Sequence, residues 1–471
     1  MQNNPWDVIV VGGGTAGLPC AIFAARRGAK VLLLDAADKL GGTLHLAQGQ
    51  LSAAGTKVQK AKGISDTPDA HFADILRISK DTVDHPLVRL AVDNAAETFD
   101  WLMDSGFEMV PEHPVEGRAH EPYSKQRYYW GVDYGRSIAK VLVAQVEPEI
   151  ARGAVTLRLS TPVKALDMAD DAVRGVVVGK GAAREVIQGR HVVLACGGYA
   201  ANPDMFAALN GIPLFGQGAY RYSQGVGITL GLSAGGYLRG GQNYLSNFGV
   251  ILEDEHYPSP VFGRFNTYPA QRQPWEIYVN THGKRFVRED EPSVDAREHA
   301  LLAQPGLRYW IVFDESIRRA APPQMTDRSR EDIAALFDRH PMFVKADSLA
   351  QLAARIGVSA DALSATVAAY NRGHKEGRDA LGRQHMPLSI GDAPYYAVRH
   401  QGTSVTSTVG LAVNHVLQLI RPNATVVPGI YAAGELLGAG QLMGSAFCGG
   451  MMGTPALTYG RLLGDKFLHF A

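Results

Sequence analysis

Asp7-Val8-Ile9-Val10-Val11-Gly12-Gly13-Gly14-Thr15-Ala16-Gly17 is the stretch on which the fold of this chain turns. Val8 to Val11 is an apolar run without alternation, the pattern of a parallel strand buried on both faces. Gly12, Gly14 and Gly17 then fill a G-x-G-x-x-G spacing and open a helix over Leu18 to Arg27. Each glycine has its own task. Gly12 permits a tight turn, Gly14 lets the backbone approach a pyrophosphate, and Gly17 lets the helix lie close on the strand. The unpaired N–H groups and the dipole of the helix end favour phosphate charge, so Thr15 and Ala16 join the expected contacts. A second apolar strand, Val31 to Leu34, ends in Asp35 and Ala36. Asp35 lies about 20 residues beyond the glycines, where a carboxylate accepts from ribose hydroxyls. A glycine-rich turn without a ligand would need none of these companions.

A second signature stands near the other end of the chain, Pro428-Gly429-Ile430-Tyr431-Ala432-Ala433-Gly434-Glu435. It reads as a return of the chain to complete the same dinucleotide site, the habit of FAD enzymes.

The rest of the composition sets bounds. At 471 residues the chain is expected to form two or three domains. Lys+Arg 46 balances Asp+Glu 46, so neither nucleic acid nor an anionic membrane surface is expected as a partner. No apolar run approaches the ~20 residues of a membrane span. Met1 to Trp6 precede the first strand, so no signal peptide is expected. Cys20, Cys196 and Cys448 are far apart, with no metal or disulfide spacing. Buried thiols in a reducing cytoplasm are the expectation, with Cys448 kept open because it lies in a glycine-rich segment.

Thr56 to Gly153 reads mostly as helices and loops, with apolar residues at helical spacing over Ala91 to Met103 and Ser137 to Ile150. Val155 to Leu159, Pro162 to Leu166 and Val173 to Val178 read as strands of a small meander, and Val192 to Ala195 as a buried strand. An inserted second domain is expected over 239–390, between two parts of the FAD-binding domain, 1–238 and 391–471. Within this scheme Asp361 to Glu376 is a helix, Pro394-Tyr395-Tyr396-Ala397-Val398 begins the return to the first domain, and Thr454 to Phe470 is the last helix.

Several further segments resemble the fumarate reductase/succinate dehydrogenase flavoprotein superfamily, in its soluble branch with the 3-ketosteroid dehydrogenases, over nearly the whole chain. Gly41-Gly42-Thr43 and Ala47-Gln48-Gly49-Gln50-Leu51-Ser52-Ala53-Ala54-Gly55 are similar to the loop that wraps the flavin. Leu194-Ala195-Cys196-Gly197-Gly198-Tyr199 is similar to a second FAD contact strand. Gly225-Val226-Gly227-Ile228 is similar to G-D-G-I, with Val in place of Asp. Val279-Asn280 with Gly283-Lys284-Arg285-Phe286-Val287, and Thr366-Val367-Ala368-Ala369-Tyr370-Asn371 with Gly377, Asp379, Gly382 and Arg383, are similar to the cap domain. Tyr431 to Glu435 is similar to the element whose Glu holds FAD ribose. The resemblance implies an α/β fold: a Rossmann-type FAD-binding domain, of parallel sheet plus small β-meander, with an inserted α+β capping domain. It adds Gly41, Gly42, Thr43, Ala195, Gly197, Gly198, Gly434, Glu435 and Gly450 to the FAD contacts. It implies non-covalent FAD, because Thr43 stands where the respiratory branch has its linking His. His45, two residues out of step, reads as an ordinary loop histidine.

The resemblance also implies hydride exchange between flavin N5 and a substrate carbon, with a proton moving at the neighbouring carbon beside a polarised carbonyl. The chain departs where fumarate reductases bind a dicarboxylate: Ser407, Ser293 and Phe447 stand at the His and two Arg positions. A neutral site rejects unpaired buried carboxylates, so a dicarboxylate is disfavoured. The ketosteroid dehydrogenases use Tyr residues and a backbone N–H, and Gly450 is similar in place to their donor glycine. Their tyrosines fall at Ala446 and Ser293, so the proton relay is not carried over. The local candidates are Tyr123, Tyr128, Tyr129 and Tyr134, with a Tyr as base if a cation lowers its pKa; aromatic packing is the competing explanation. Arg297, four residues after Ser293, is a replacement acid or anion clamp, against a surface ion pair with Asp295 or Glu298. Lys284-Arg285 reads as a solvated hairpin turn. The catalytic set is thus Tyr123, Tyr129, Ser293, Arg297 and Gly450. The expected function is FAD-dependent α,β-dehydrogenation of a small-molecule ketone, cyclic and steroid-like ones included, with electrons passing to an external acceptor. An ene-reductase fed by an external donor and a non-catalytic FAD-binding protein are the alternatives. Gly179-Lys180-Gly181 lacks the third glycine and the helix, so no dedicated NAD(P)H domain is expected.

Overall fold

The computed structural model describes residues 5–118 and 120–470. Met1 to Asn4, most of the segment read as preceding the first strand, lie outside the described residues. The chain divides into two compact units, one of Met1–Ile212, Ala219–Tyr244 and Val405–Ala471, the other of Pro213–Gly218 and Leu245–Ser404.

The first unit is built on a parallel-dominated sheet. β1 (Trp6–Val11) lies between β2 (Val31–Leu34) and β8 (Glu185–Leu194), parallel to both, and Val8 to Val10 are fully buried. The helix α1 (Gly17–Arg26) follows β1 directly. The strand Val426–Ala432 pairs in parallel with β8, Ile430 opposite Val192 and Ala432 opposite Leu194. The two ends of the chain therefore share one sheet, on either side of β8. Between them run β3 (Leu51–Ser52), α2 (Lys57–Ala61), α3 (Pro68–Ser79), α4 (His85–Asp104), β4 (Tyr128–Tyr129) and α5 (Tyr134–Ala151). Prolines at the first turns of α3 and α4, with Thr67 and Asp84 as side-chain caps, fix where those helices begin. β6 (Val163–Ala169) and β7 (Ala172–Val178) form an antiparallel meander with β8.

β5 (Val155–Arg158) corrects one expectation. It joins the parallel sheet beside β2, Val31 opposite Val155, rather than the meander. Only Val155 is buried in it, and an edge strand with so short an apolar run carries no sign of which sheet it joins. The last helix is shorter than expected: it spans Gly453–Leu462 and passes into a π-helical turn, Leu463–Phe467.

The second unit centres on an antiparallel sheet of Ile277–Asn280, Arg308–Asp314, Tyr395–Gln401 and Phe343–Ala346. Tyr395–Gln401 lies inside this sheet, paired along its length with Arg308–Asp314. The boundary expected at 391 is therefore too early. A buried run such as Tyr-Tyr-Ala-Val reads the same whichever sheet receives it. Arg285 is also corrected. Its side chain is buried, ion-paired to Glu289 at 2.6 Å and Asp379 at 2.5 Å, and Arg383 reaches the same Glu289 at 3.2 Å. The turn is solvated at Lys284 and not at its neighbour. Among the described residues no helix is long and apolar enough to cross a membrane.

Candidate functional site

Three loops of the first unit leave the sheet at the carboxyl ends of adjacent parallel strands, where open α/β sheets bind ligands. Gly12 N–H donates to Leu34 O at 2.7 Å, Ala195 N–H to Val11 O at 2.8 Å and Ala433 N–H to Leu194 O at 3.0 Å. The ladder thus runs one residue past each strand and fixes the three loop origins side by side.

The glycines differ in what surrounds them. Gly12 has φ +108°, and a Cβ there would stand 2.4 Å from Ala195 O. A Cβ on Gly17 would stand 1.8 Å from Gly12 O, so α1 rests directly on the turn. Gly14 differs: its Cβ position meets nothing nearer than Gly42 Cα at 4.0 Å. Gly14 and Gly42 face each other backbone to backbone, with no side chain between. Gly41, at φ +110°, turns the chain into that approach, followed by the short Gly42–His45 helical turn that carries Thr43. His45 Nε2–H donates to Leu40 O at 2.8 Å. Asp35 accepts from the N–H groups of Gly13 at 2.6 Å and Ala37 at 2.7 Å, and burial raises its pKa. Ala36 beside it is exposed and Thr15 half-buried.

Glu435 is buried, which raises its pKa, and Oε1 accepts from the Ser407 N–H and hydroxyl, both at 3.0 Å. The Ser407 hydroxyl also accepts from Tyr199 N–H at 2.8 Å. A Cβ on Gly198 would lie 1.9 Å from Ser407 Oγ. Ser407, read from its position as a replacement for a substrate-binding histidine, is instead an internal strut between the second and third loops. Ala195, Gly197 and Gly198 sit on that second loop, Gly434 on the third.

The same unit holds a cavity of about 540 Å³. Tyr123, Tyr128, Trp130 and Phe447 make part of its wall aromatic, and Gln50, Glu116, Arg118, His120, Glu121 and Gln126 make much of the rest polar or charged. Phe447 packs at a tilt of 35° against His120, ring centres 4.4 Å apart. Arg118 at the cavity is largely exposed and ion-paired to Glu116 at 3.1 Å.

The tyrosines separate into distinct roles. Tyr123 is 3% exposed and its hydroxyl donates to Gly449 O at 2.5 Å. Burial pushes its phenol well above the usual range, the reverse of what a general base requires. Arg127 lies 5.4 Å from its ring centre but is ion-paired to Asp66 at 2.7 Å and Asp74 at 2.5 Å, so its charge is already answered. Tyr128 is also raised by burial, and its hydroxyl bonds to no described residue. Tyr129 does not line the cavity: it is fully buried, with its hydroxyl between Thr56 Oγ1 at 2.9 Å and Ala53 O at 3.3 Å. Tyr134 opens α5 and is half exposed. Gly450 has φ +81° and is wedged against β3, where a Cβ would meet Leu51 C and Ser52 N at 2.4 Å. Cys448 is fully buried and directs Sγ to Met443 O.

In the second unit Ser293 caps the helix Val294–Leu302, accepting from Ala296 N–H at 3.1 Å. Arg297 is 1% exposed, so it is no surface residue. Its guanidinium donates to Thr267 O, stands 5.1 Å from the Phe248 ring centre, and keeps an Nε without a partner among the described residues.

Residues 7–452 match the family described as FAD binding domain. The chain belongs to that FAD-binding family. A fumarate reductase (cytochrome) of Shewanella frigidimarina is 30% identical over 469 residues, covering 98% of this chain and 76% of the relative. A 3-oxosteroid 1-dehydrogenase of Mycobacterium tuberculosis is 24% identical over 576 residues, covering 98% of both chains. Among solved structures, the open conformation of a flavocytochrome c3 fumarate reductase has a TM-score of 0.72 at 27% identity, covering 98% of this chain and 78% of that one. The protein is an FAD-dependent oxidoreductase of the fumarate reductase/3-ketosteroid dehydrogenase type, acting on CH–CH bonds.

The FAD-binding protein's own residues fit the cofactor. Gly14 and Gly42 leave the backbone at the start of α1 free of side chains, where a pyrophosphate would approach the N–H groups. Asp35 and Glu435 stand at loop ends suited to ribose hydroxyls. Sequence reasoning missed Trp130, which lies in the same aromatic run as the tyrosines, and the packing of Phe447 on His120. It also missed His71, whose edge meets the Tyr123 ring at 5.4 Å; a lone histidine in a helix carries no signal of such a contact.

Proposed function

We propose that this enzyme exchanges two electrons across the C–C bond beside a carbonyl in a neutral, ring-bearing substrate, with α,β-dehydrogenation of a ketone as the forward reaction. The observation that carries this is the aromatic part of the cavity wall. Phe447 occupies it where a fumarate reductase places an arginine, and Ser407, at the histidine position, is committed to Glu435 and Tyr199. Two carboxylates would also meet Glu116 and Glu121 on that wall, where Arg118 is ion-paired to Glu116.

FAD, when bound, supplies the two-electron exchange, and an external acceptor completes the cycle. The chain supplies the rest. Loss of the α-proton builds charge on the carbonyl oxygen, and the Gly450 N–H and Tyr128 hydroxyl are the proposed donors to it. Donors of this kind lower the barrier by roughly 2.7–4 kcal/mol each. Arg297, whose buried Nε has no partner among the described residues, is the proposed anion clamp on that oxygen and, when the reaction runs toward reduction, the proposed proton donor. In the forward reaction the α-proton is proposed to leave to water, and Ser293 caps the helix that bears Arg297. Tyr129 is left a packing role. Ene-reduction of an activated alkene uses the same groups in reverse, and the relative named fumarate reductase favours it as the second reading. A cytoplasmic setting, where thiols such as the buried Cys20 stay reduced, is proposed with this function.

Anaerobic mixing of the yellow protein with cyclic ketones, enones and dicarboxylates tests the proposal. Bleaching by ketones marks a dehydrogenase, and reoxidation of the reduced protein by enones a reductase. Tyr128→Phe and Arg297→Gln should each lower kcat/KM on the substrate so found by about 10²-fold. Turnover of fumarate at an ordinary enzymatic rate, about 1–10³ per second, overturns it.

We further propose that FAD is held without a covalent bond. Thr43 offers no linking imidazole, and His45 is tied to Leu40 O at 2.8 Å. Acid precipitation should leave the yellow colour in the supernatant; colour in the pellet refutes the claim.

A further inference from the structure

Gly449 and Gly450 share one peptide unit whose two polar ends meet different fates. The Gly449 carbonyl accepts from the Tyr123 hydroxyl at 2.5 Å. The unit is trans, since every cis peptide among the described residues precedes a proline. The Gly450 N–H therefore points to the opposite edge of the plane from Tyr123. There it meets no acceptor among the described residues.

The unit is also clamped. A Cβ on Gly450 would stand 2.4 Å from the Leu51 carbonyl carbon and Ser52 N. The Gly450 carbonyl accepts from Thr454 N–H at 2.9 Å, and Thr454 Oγ1 accepts from Ser52 N–H at 2.7 Å. The peptide has no room to rotate toward another partner. Tyr123 is held as firmly, between the edge of His71 and the guanidinium of Arg127, each 5.4 Å from its ring centre. A hydrogen bond to an amide carbonyl polarises the whole unit and strengthens the donor at its other end.

We propose that Tyr123 is a positioning residue: by donating to the Gly449 carbonyl it fixes and polarises the Gly449–Gly450 peptide, and the Gly450 N–H becomes a preorganised donor to a substrate oxygen gaining enolate charge. This rests on the function proposed above. It takes Tyr123 out of direct contact chemistry and has it act through one peptide.

The test uses the full chain loaded with FAD and a series of substituted phenols of graded acidity, which mimic an enolate, with binding read from the change in the flavin's visible absorption. Tyr123→Phe should weaken binding of the more basic phenolates about 2–10-fold, the loss of one hydrogen bond of ordinary net strength. The dependence of affinity on phenol acidity should flatten. Tyr123→3,5-difluorotyrosine keeps the ring and strengthens the donor, so it should tighten the same ligands and steepen the dependence. A role in packing alone would leave that dependence unmoved. Equal affinities and equal slopes in the FAD-loaded variants overturn the inference and leave the proposed function standing. Failure of every phenol to bind the wild-type protein overturns both. Should Tyr123→Phe not retain FAD, the fluorinated variant decides, since it removes no atom from the packing.

Discussion

Gly14 and Gly17 are indistinguishable as letters, yet they carry different loads. A Cβ on Gly17 would lie 1.8 Å from Gly12 O, so Gly17→Ala must push α1 off the strand that precedes it. Overpacking of this severity costs about 3 kcal/mol or more. The FAD-free protein should melt several degrees lower, at roughly 2–4 °C per kcal/mol for a domain of this size. The Cβ position of Gly14 is clear to 4.0 Å, so Gly14→Ala should leave the FAD-free melt unchanged. Its methyl group would occupy the slot facing Gly42, and FAD should bind about tenfold or more weakly. Thermal melts of stripped protein and FAD titrations check the pair; an unchanged FAD affinity in Gly14→Ala would sink the slot assignment. Gly450 stands with Gly17: any side chain there collides with Leu51 and Ser52. An inactive Gly450→Val protein would report on the fold, which is why Tyr123 is the better probe of that peptide.

At the scale of elements, what the sequence made legible was decided by burial. β1, β2 and β8 end in unbroken apolar runs, and their parallel pairing followed from those runs and the glycines behind them. The helices α4 and α5 showed their apolar spacing. What stayed hidden was partnership between elements far apart in the chain. β5 and Tyr395–Gln401 are recognisable strands whose sheet is chosen by tertiary contact, and neither run of residues names it. Arg285 reads as a turn residue because nothing nearby in sequence announces Asp379, the carboxylate that draws it inward. In the site the cofactor loops were readable because glycine patterns report backbone geometry directly. The roles of the tyrosines were not, because a hydroxyl's function depends on its partner: Gly449 O for Tyr123, Thr56 for Tyr129, and no described residue for Tyr128.

Across the whole molecule, histidines buried in both units couple the fold to pH. His71 in the first unit and His400 in the second are fully buried, and burial holds each well below its usual 6.5, to about 3. Arg127 adds to the effect at His71. Below pH 6.5 the unfolded chain takes up protons at these sites and the folded chain does not, until about pH 3. The unfolded state therefore binds more protons across that window, and stability must rise with pH within it. Each such histidine withdraws roughly 1 kcal/mol of stability per pH unit as the solution is acidified from 6.5 toward 3. His113, His191, His340 and His385 are lowered in the same direction by burial. The melting temperature should accordingly fall between pH 7 and 5, ahead of the ordinary carboxylate range. His71 is the residue to isolate, because neither ring nitrogen has a hydrogen-bond partner among the described residues, whereas His400 accepts from Phe265 N–H at 3.3 Å. His71→Phe keeps an aromatic edge against Tyr123 and removes the titrating group without removing a hydrogen bond. The variant should melt at or above the wild-type temperature at pH 5.5 and lose part of the pH slope, by about one proton in the linkage. Identical slopes in the two proteins would mean that His71 takes up its proton in the folded state as readily as in the unfolded one, and the assignment of a buried neutral imidazole behind Tyr123 would be wrong.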